Sequence, residues 1–248
     1  MDWSPFVGQL GTHLRASVAG VRPDEGWWLV VAVTIALVAV VVRPVWRGTR
    51  IAVTIVHELG HAAVGLLSGR RWQRFVVHAD MSGEVSTLGK PTGLGRVLTT
   101  AAGYPAPAVA GAVSVWAALS GWAPLVMLAL AVGVLGALIR ARSLFTVAML
   151  LMVLAGDLAA WWFGDGQMAA AVVCGAGVFL VAGAWRQLIA VASSSDPAQD
   201  PAVLGMLTHA PRGVWIAVFV LMVAALSWWC LAMVVPLLAT WLGLVPGR

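Results

Sequence analysis

An all-α polytopic membrane protein of six to seven spans, with a small β-hairpin after the second, is the fold class this sequence predicts. Three observations carry that expectation. Of 248 residues, 61% are hydrophobic and 10% are charged, and the mean hydropathy is +0.93, which leaves too little charge to cover a soluble globule of this size. Apolar runs near 27–46, 50–68, 97–120, 122–139, 143–163, 167–191 and 213–243 approach the roughly 20 residues that a helix needs to cross about 30 Å of hydrocarbon. Trp residues gather near the ends of these runs, at Trp27, Trp28, Trp46, Trp122, Trp161, Trp162 and Trp241, where amphipathic rings settle among lipid headgroups.

The elements follow in order. Segment 1–26 carries Asp2, Asp24 and Glu25 and lacks the basic start and short apolar core of a secretory signal, so it reads as an N-terminal cytoplasmic segment. The first run ends in Arg43, Pro44 and Arg47 rather than a small-residue cleavage site, and reads as a retained span. Segment 70–91 has β-branched and aromatic residues flanking Asp80, Ser82 and Gly83, the pattern of a β-hairpin. Little more than Gly121 separates the third run from the short fourth, so six spans or a re-entrant pair is the alternative to seven. Segment 192–211 places Ser, Asp and Pro before an apolar turn, which predicts a capped short helix. A last span covers 213–243. The whole chain, 1–248, reads as one integral membrane domain with its core over 50–211.

Net charge is +5, but the basic residues are spread over short connections rather than clustered on one element, so the sequence does not read as a nucleic-acid binder. Counted on alternate sides of seven spans, Arg15, Arg22, Arg70, Arg71, Arg74, Lys90, Arg96, Arg140, Arg142, Arg186 and Arg212 fall with the N-terminus, against Arg43, Arg47, Arg50 and Arg248. The positive-inside rule then predicts a cytoplasmic N-terminus and a cytoplasmic hairpin. Arg186, near the end of the sixth span, reads as a snorkelling residue. Cys174 and Cys230 lie inside apolar runs and read as small core residues. The weighting towards Arg, Ala, Val and Gly matches a bacterial composition, and the plasma membrane is the expected location.

One stretch breaks the apolar pattern. Ile55 to His61 reads IVHELGH, placing His57 and His61 one turn apart on one helix face, where both can ligate one zinc ion. Glu58 is offset by about 100° from His57 and can act as general base on a water. Ionisable groups within a span are costly and functional by default. A catalytic zinc site wants three protein ligands and one open position, and the candidates for the third are His78, Asp80, Asp157, Asp196, Asp200 and His209.

HELGH in an early span, a following hairpin, and AAGYPAP (Ala101 to Pro107) opening the next span resemble the site-2 protease family of intramembrane zinc peptidases, in its bacterial peptidase M50B-like branch. In that branch a late Ser-Asp, Leu, Thr, Pro pattern precedes the last span. Asp200, Leu204, Thr208 and Pro211 keep its spacing, although Gln199 precedes Asp200 and the Ser-Asp pair itself occurs at Ser195 and Asp196. The resemblance implies zinc held by His57, His61 and Asp200, in preference to Asp196, with Glu58 catalytic. It also implies hydrolysis of peptide bonds in or near the transmembrane segments of membrane-protein substrates within the lipid bilayer. A non-proteolytic zinc-binding scaffold of the same fold is the alternative.

Overall fold

The computed structural model describes residues 3–20, 27–242 and 244. The chain forms α1 (Ser4–Ala19), α2 (Trp27–Val41), α3 (Arg43–Leu67), β1 (Arg71–Val77), β2 (Gly83–Leu88), α4 (Leu94–Ala101), α5 (Ala106–Leu119), α6 (Ala123–Arg140), α7 (Leu144–Phe163), α8 (Gly166–Ala192), α9 (Asp200–Thr208) and α10 (Arg212–Trp241). Among the described residues, α3, α6, α7, α8 and α10 are long and apolar enough to cross a membrane, making five, or six if α4 and α5 form one bent span. The first apolar run yields α2, a shorter apolar helix of 15 residues.

Local chemistry sets the helix boundaries. Pro44 occupies the first turn of α3, where its missing N–H costs no hydrogen bond. The C-terminus of α3 closes with Gly69 at φ 76°, with Arg70 N–H donating to the Gly65 carbonyl at 2.9 Å and Gly69 N–H to that of Leu66 at 3.0 Å, a Schellman pattern. Ser143 and Asp165 cap α7 and α8 by accepting from Thr146 and Met168 backbone amides, as N-cap side chains do.

The scaffold is α5 packed on α8. Gly111 and Gly177 face each other across this crossing, and a Cβ on Gly111 would lie 2.4 Å from the Gly177 carbonyl oxygen. Small residues let the two backbones touch, which replaces the hydrophobic drive that lipid does not supply.

The hairpin is wedged into the helices. Its antiparallel register pairs Phe75 with Val85 and Val77 with Gly83, with an irregularity between Trp72 and Arg74. Phe75 and Val77 are buried among Ile51, Ile55, Val134, Ala137 and Leu150. The outer edge of β1 is already satisfied: Arg142 N–H donates to the Phe75 carbonyl at 3.1 Å, and Val77 N–H donates to Thr146 Oγ1 at 2.8 Å. At the open end of the hairpin the buried Arg70 guanidinium donates to Thr87 Oγ1, the Thr87 carbonyl and the Lys90 carbonyl, at 3.1, 3.2 and 2.7 Å.

Three expectations change. The run at 97–120 is not one helix but α4 and α5, bent by 64°. Pro105 supplies no amide to continue the ladder and disfavours a helical conformation at Tyr104 before it. Arg186 does not snorkel: it donates to the Val40 carbonyl and lies 4.8 Å over the Trp46 ring. The N-terminal segment, expected on the hairpin's side, lies elsewhere in its described part. In α1, Ser17 Oγ accepts from Trp161 Nε1 at 2.9 Å and His13 stacks on Trp162 at 4.8 Å, at the far end of α7 from Thr146 and the hairpin. α2 then runs alongside α8, with Ala32 against Gly175 and the Val40 carbonyl accepting from Arg186.

Gly111→Leu should overpack the α5–α8 crossing and lower stability by about 1–3 kcal/mol. Thermal unfolding in detergent checks this, and an unchanged midpoint would contradict the close approach.

Candidate metal centre

His57, Glu58 and His61 lie in the C-terminal half of α3, at the level of the hairpin. His57 Nε2 and His61 Nε2 are 3.2 Å apart. Asp200, the first residue of α9, brings its Oδ2 to 3.4 Å from His57 Nε2 and 3.2 Å from His61 Nε2. Pro201 in the first turn and the buried Leu204 seat α9 against the core. Burial alone would raise the Asp200 carboxyl, and positive charge beside it, on either imidazole, acts the other way and holds it below the ordinary carboxylate range.

His61 Nδ1 lies 2.7 Å from the Thr99 carbonyl, a contact that the ring satisfies by carrying its proton on Nδ1, leaving Nε2 with a lone pair. His57 Nδ1 and Asp200 Oδ2 are buried with no hydrogen-bond partner. With neutral imidazoles three lone pairs face one another, an arrangement that a cation at their centre satisfies. The size fits as well. Ligands about 2.0–2.1 Å from a tetrahedral zinc lie about 3.3 Å from one another, and the three edges here are 3.2, 3.2 and 3.4 Å.

Gly103, in the break between α4 and α5, closes one side of the triangle. A Cβ there would lie 2.4 Å from His61 Nε2 and 2.6 Å from His57 Nε2, so only hydrogen fits. Glu58 faces the other way. It is 8% exposed and lies against Gly83, which Thr54 also meets. Thr54 Oγ1 in turn donates to the Met81 carbonyl at 3.0 Å, tying α3 to the hairpin turn.

A cavity of about 300 Å³ adjoins these groups, lined by His57, Glu58, His61 and Asp200, by Gly83, Glu84, Val85 and Thr87 of β2, and by Arg96, Thr99 and Gln199. The cavity therefore has one wall from the His57, His61 and Asp200 cluster and one wall from strand β2. The family model described as Peptidase M50B-like matches residues 30–230. The chain belongs to the Peptidase M50B-like family. No curated protein and no solved structure matches it. The match spans α3, the hairpin, the broken span and α9, every element that borders the three-residue cluster.

Among the described residues, His57, His61 and Asp200 form the one cluster of His, Cys, Asp or Glu with metal-ligand spacing. The other candidates lie apart from it. Asp196 is exposed and accepts from the Ala198 amide at 2.9 Å, although it borders the cavity. Asp80 accepts from Ser82 in the hairpin turn, and His78 donates its backbone N–H to the Ser82 carbonyl there. His209 takes the left-handed position at the end of α9, and Asp157 lies within α7. Sequence reading missed the Thr99 carbonyl, which meets His61, and Gly103, which meets both histidines. Tyr104, which the Gly-Tyr-Pro bend marks for packing or for a hydrogen bond into the site, meets the His57 ring edge-on.

Gly103→Ala should force the imidazoles apart and weaken metal loading at least tenfold, an order typical of disturbed ligand positioning, with helix content unchanged. Metal content and circular dichroism measured together check this, and undiminished loading would refute the packing argument.

Proposed function

We propose that this M50B-like chain is an intramembrane zinc metalloprotease that cleaves membrane proteins in or near their transmembrane segments, with His57, His61 and Asp200 as zinc ligands and Glu58 as general base. The observation that carries the reading is the near-equilateral triangle of His57 Nε2, His61 Nε2 and Asp200 Oδ2 beside a buried glutamate on the same helix. When bound, zinc would supply a Lewis acid for the peptide carbonyl and bring the pKa of a water towards neutrality.

The protein's own groups do the rest. Glu58 takes the proton of the attacking water and returns it to the leaving amine, as a carboxylate set beside the scissile bond can. A helical substrate hides its carbonyls in its own hydrogen bonds and must unwind before it reaches the site. β2 supports that step. Its one described partner strand is β1, and its residues Gly83, Glu84, Val85 and Thr87 line the cavity, so an extended substrate can add to its edge with Glu58 alongside.

Purified protein reconstituted in liposomes with a panel of single-span membrane proteins tests this. Glu58→Gln should keep its zinc and lose cleavage by about 10²–10⁴-fold; cleavage that persists would sink the mechanism. Zinc without cleavage in the wild type would favour the non-proteolytic scaffold. Asp200→Ala should lose zinc and Asp196→Ala should keep it, and equal retention would refute the choice of ligand.

Orientation follows from charge. The hairpin end of the molecule carries Arg70, Arg71, Arg74, Arg140 and Arg142, while α1 at the other end carries Arg15. The positive-inside rule favours a cytoplasmic site, with α1 on the outer face. Cysteines placed at Glu84 and Arg15 should label from opposite faces of sealed vesicles. Labelling from the same face would overturn this orientation.

A further inference from the structure

The imidazoles and the carboxylate of the triangle come from elements far apart in the chain, and the segment that delivers Asp200 is only loosely tied down. Between α8 and α9 its hydrogen bonds are internal: Asp196 N–H donates to Ser194 Oγ, Ala198 N–H to Asp196 Oδ1 and Gln199 N–H to the Asp196 carbonyl, at 3.2, 2.9 and 3.3 Å. α9 itself is held by apolar contacts of Leu204 and, at its far end, by Trp215 Nε1 donating to Thr208 Oγ1 at 3.0 Å. Apolar burial is non-directional. It leaves a nine-residue helix free to turn or slide by amounts that matter to a metal site, where ligand distances must hold within about 0.2 Å.

One contact removes that freedom. Tyr104 Oη donates to Gln199 Oε1 at 2.8 Å, next in sequence to Asp200. Gln199 is the N-cap residue of α9, yet its side chain makes no cap and turns to Tyr104 instead. The Tyr104 ring meets the His57 ring edge-on, with centroids 4.7 Å apart at 86°, and stacks on Phe219 of α10 at 5.5 Å. It is 7% exposed and does not line the cavity. Its hydroxyl proton is committed to Gln199, away from the reacting groups.

We infer that Tyr104 is a positioning residue: its ring fixes His57 and its hydroxyl, through Gln199, sets the approach of Asp200, so that one side chain on the helix break tunes the affinity of the site for its cation. The inference rests on the zinc reading and deepens it. Outer-shell hydrogen bonds of this kind typically carry roughly 10–100-fold in metal affinity. Tyr104→Phe keeps the ring on His57 and Phe219 and removes only the donor.

The experiment measures zinc affinity of the full-length protein in detergent by competition with a chromophoric chelator, alongside the visible spectrum of the cobalt-loaded form. Tyr104→Phe and Gln199→Ala should each bind zinc roughly 10–100-fold more weakly and shift the cobalt bands, with helix content unchanged. The double variant should be no weaker than the worse single one, because both remove the same hydrogen bond. Gln199→Glu, whose carboxylate oxygen accepts the same proton, should hold affinity at or above wild type and guards against a loss caused by misfolding. Tight wild-type binding that Tyr104→Phe leaves unchanged, or losses that multiply in the double variant, overturns the inference alone. A wild-type chain that takes up no zinc overturns the zinc reading and the inference with it.

Discussion

Two imidazole nitrogens and a carboxylate oxygen held 3.2–3.4 Å from one another form the constraint on which the rest of this structure depends. In an apolar interior such an arrangement is costly unless a cation or a shared proton sits at its centre, and every neighbouring element is shaped by keeping it in place. The Thr99 carbonyl holds the His61 ring. Gly103 allows the helix break to close against both imidazoles. α9 is laid across the end of α5, α8 and α10 through Leu204 so that its first residue arrives at the triangle.

Irregular backbone is tolerated at such depth only where protein buries it or a cavity adjoins it. Both departures from helix near the site obey that rule. The hairpin has one edge satisfied by residues 141–146 and the other on the cavity. The turn at 102–105 packs on α3, where Gly60 meets Ala102 and Ala106. These same irregularities do the chemical positioning, since a continuous helix through 97–120 would have carried Gly103 and Tyr104 along one cylinder instead of around the histidines.

The topology shows where charge counting by alternation breaks down. Alternation assumes that every apolar run crosses completely and that the N-terminal segment stays where the first run begins. Here the first run is a short helix alongside α8, joined to α3 by a single bend at Val42, and α1 is drawn by aromatic contacts with Trp161 and Trp162 to the end away from the site. The charge asymmetry survives, because the hairpin and its neighbouring loops still carry most of the described basic residues.

Much of this protein was legible in the residues alone, and for local reasons. Hydropathy reported the spans, since a lipid-facing helix must be apolar along a fixed length. The turn residues around Asp80 to Gly83 reported the hairpin, and the four-residue spacing of His57 and His61 reported a shared helix face. Asp200 was legible only through the resemblance, because nothing local separates it from Asp196, four residues away. What tertiary structure decided was long-range. Asp200 turns inward, its Oδ2 buried beside the imidazoles, while Asp196 turns out to solvent in its own loop turn. The Thr99 carbonyl, Gly103 and the Tyr104–Gln199 hydrogen bond complete the site from positions whose sequence signals were only those of helix packing. Spacing along one helix is set by its geometry, whereas a meeting of α3, the helix break and α9 is set by how whole elements pack, and no short pattern of residues encodes that.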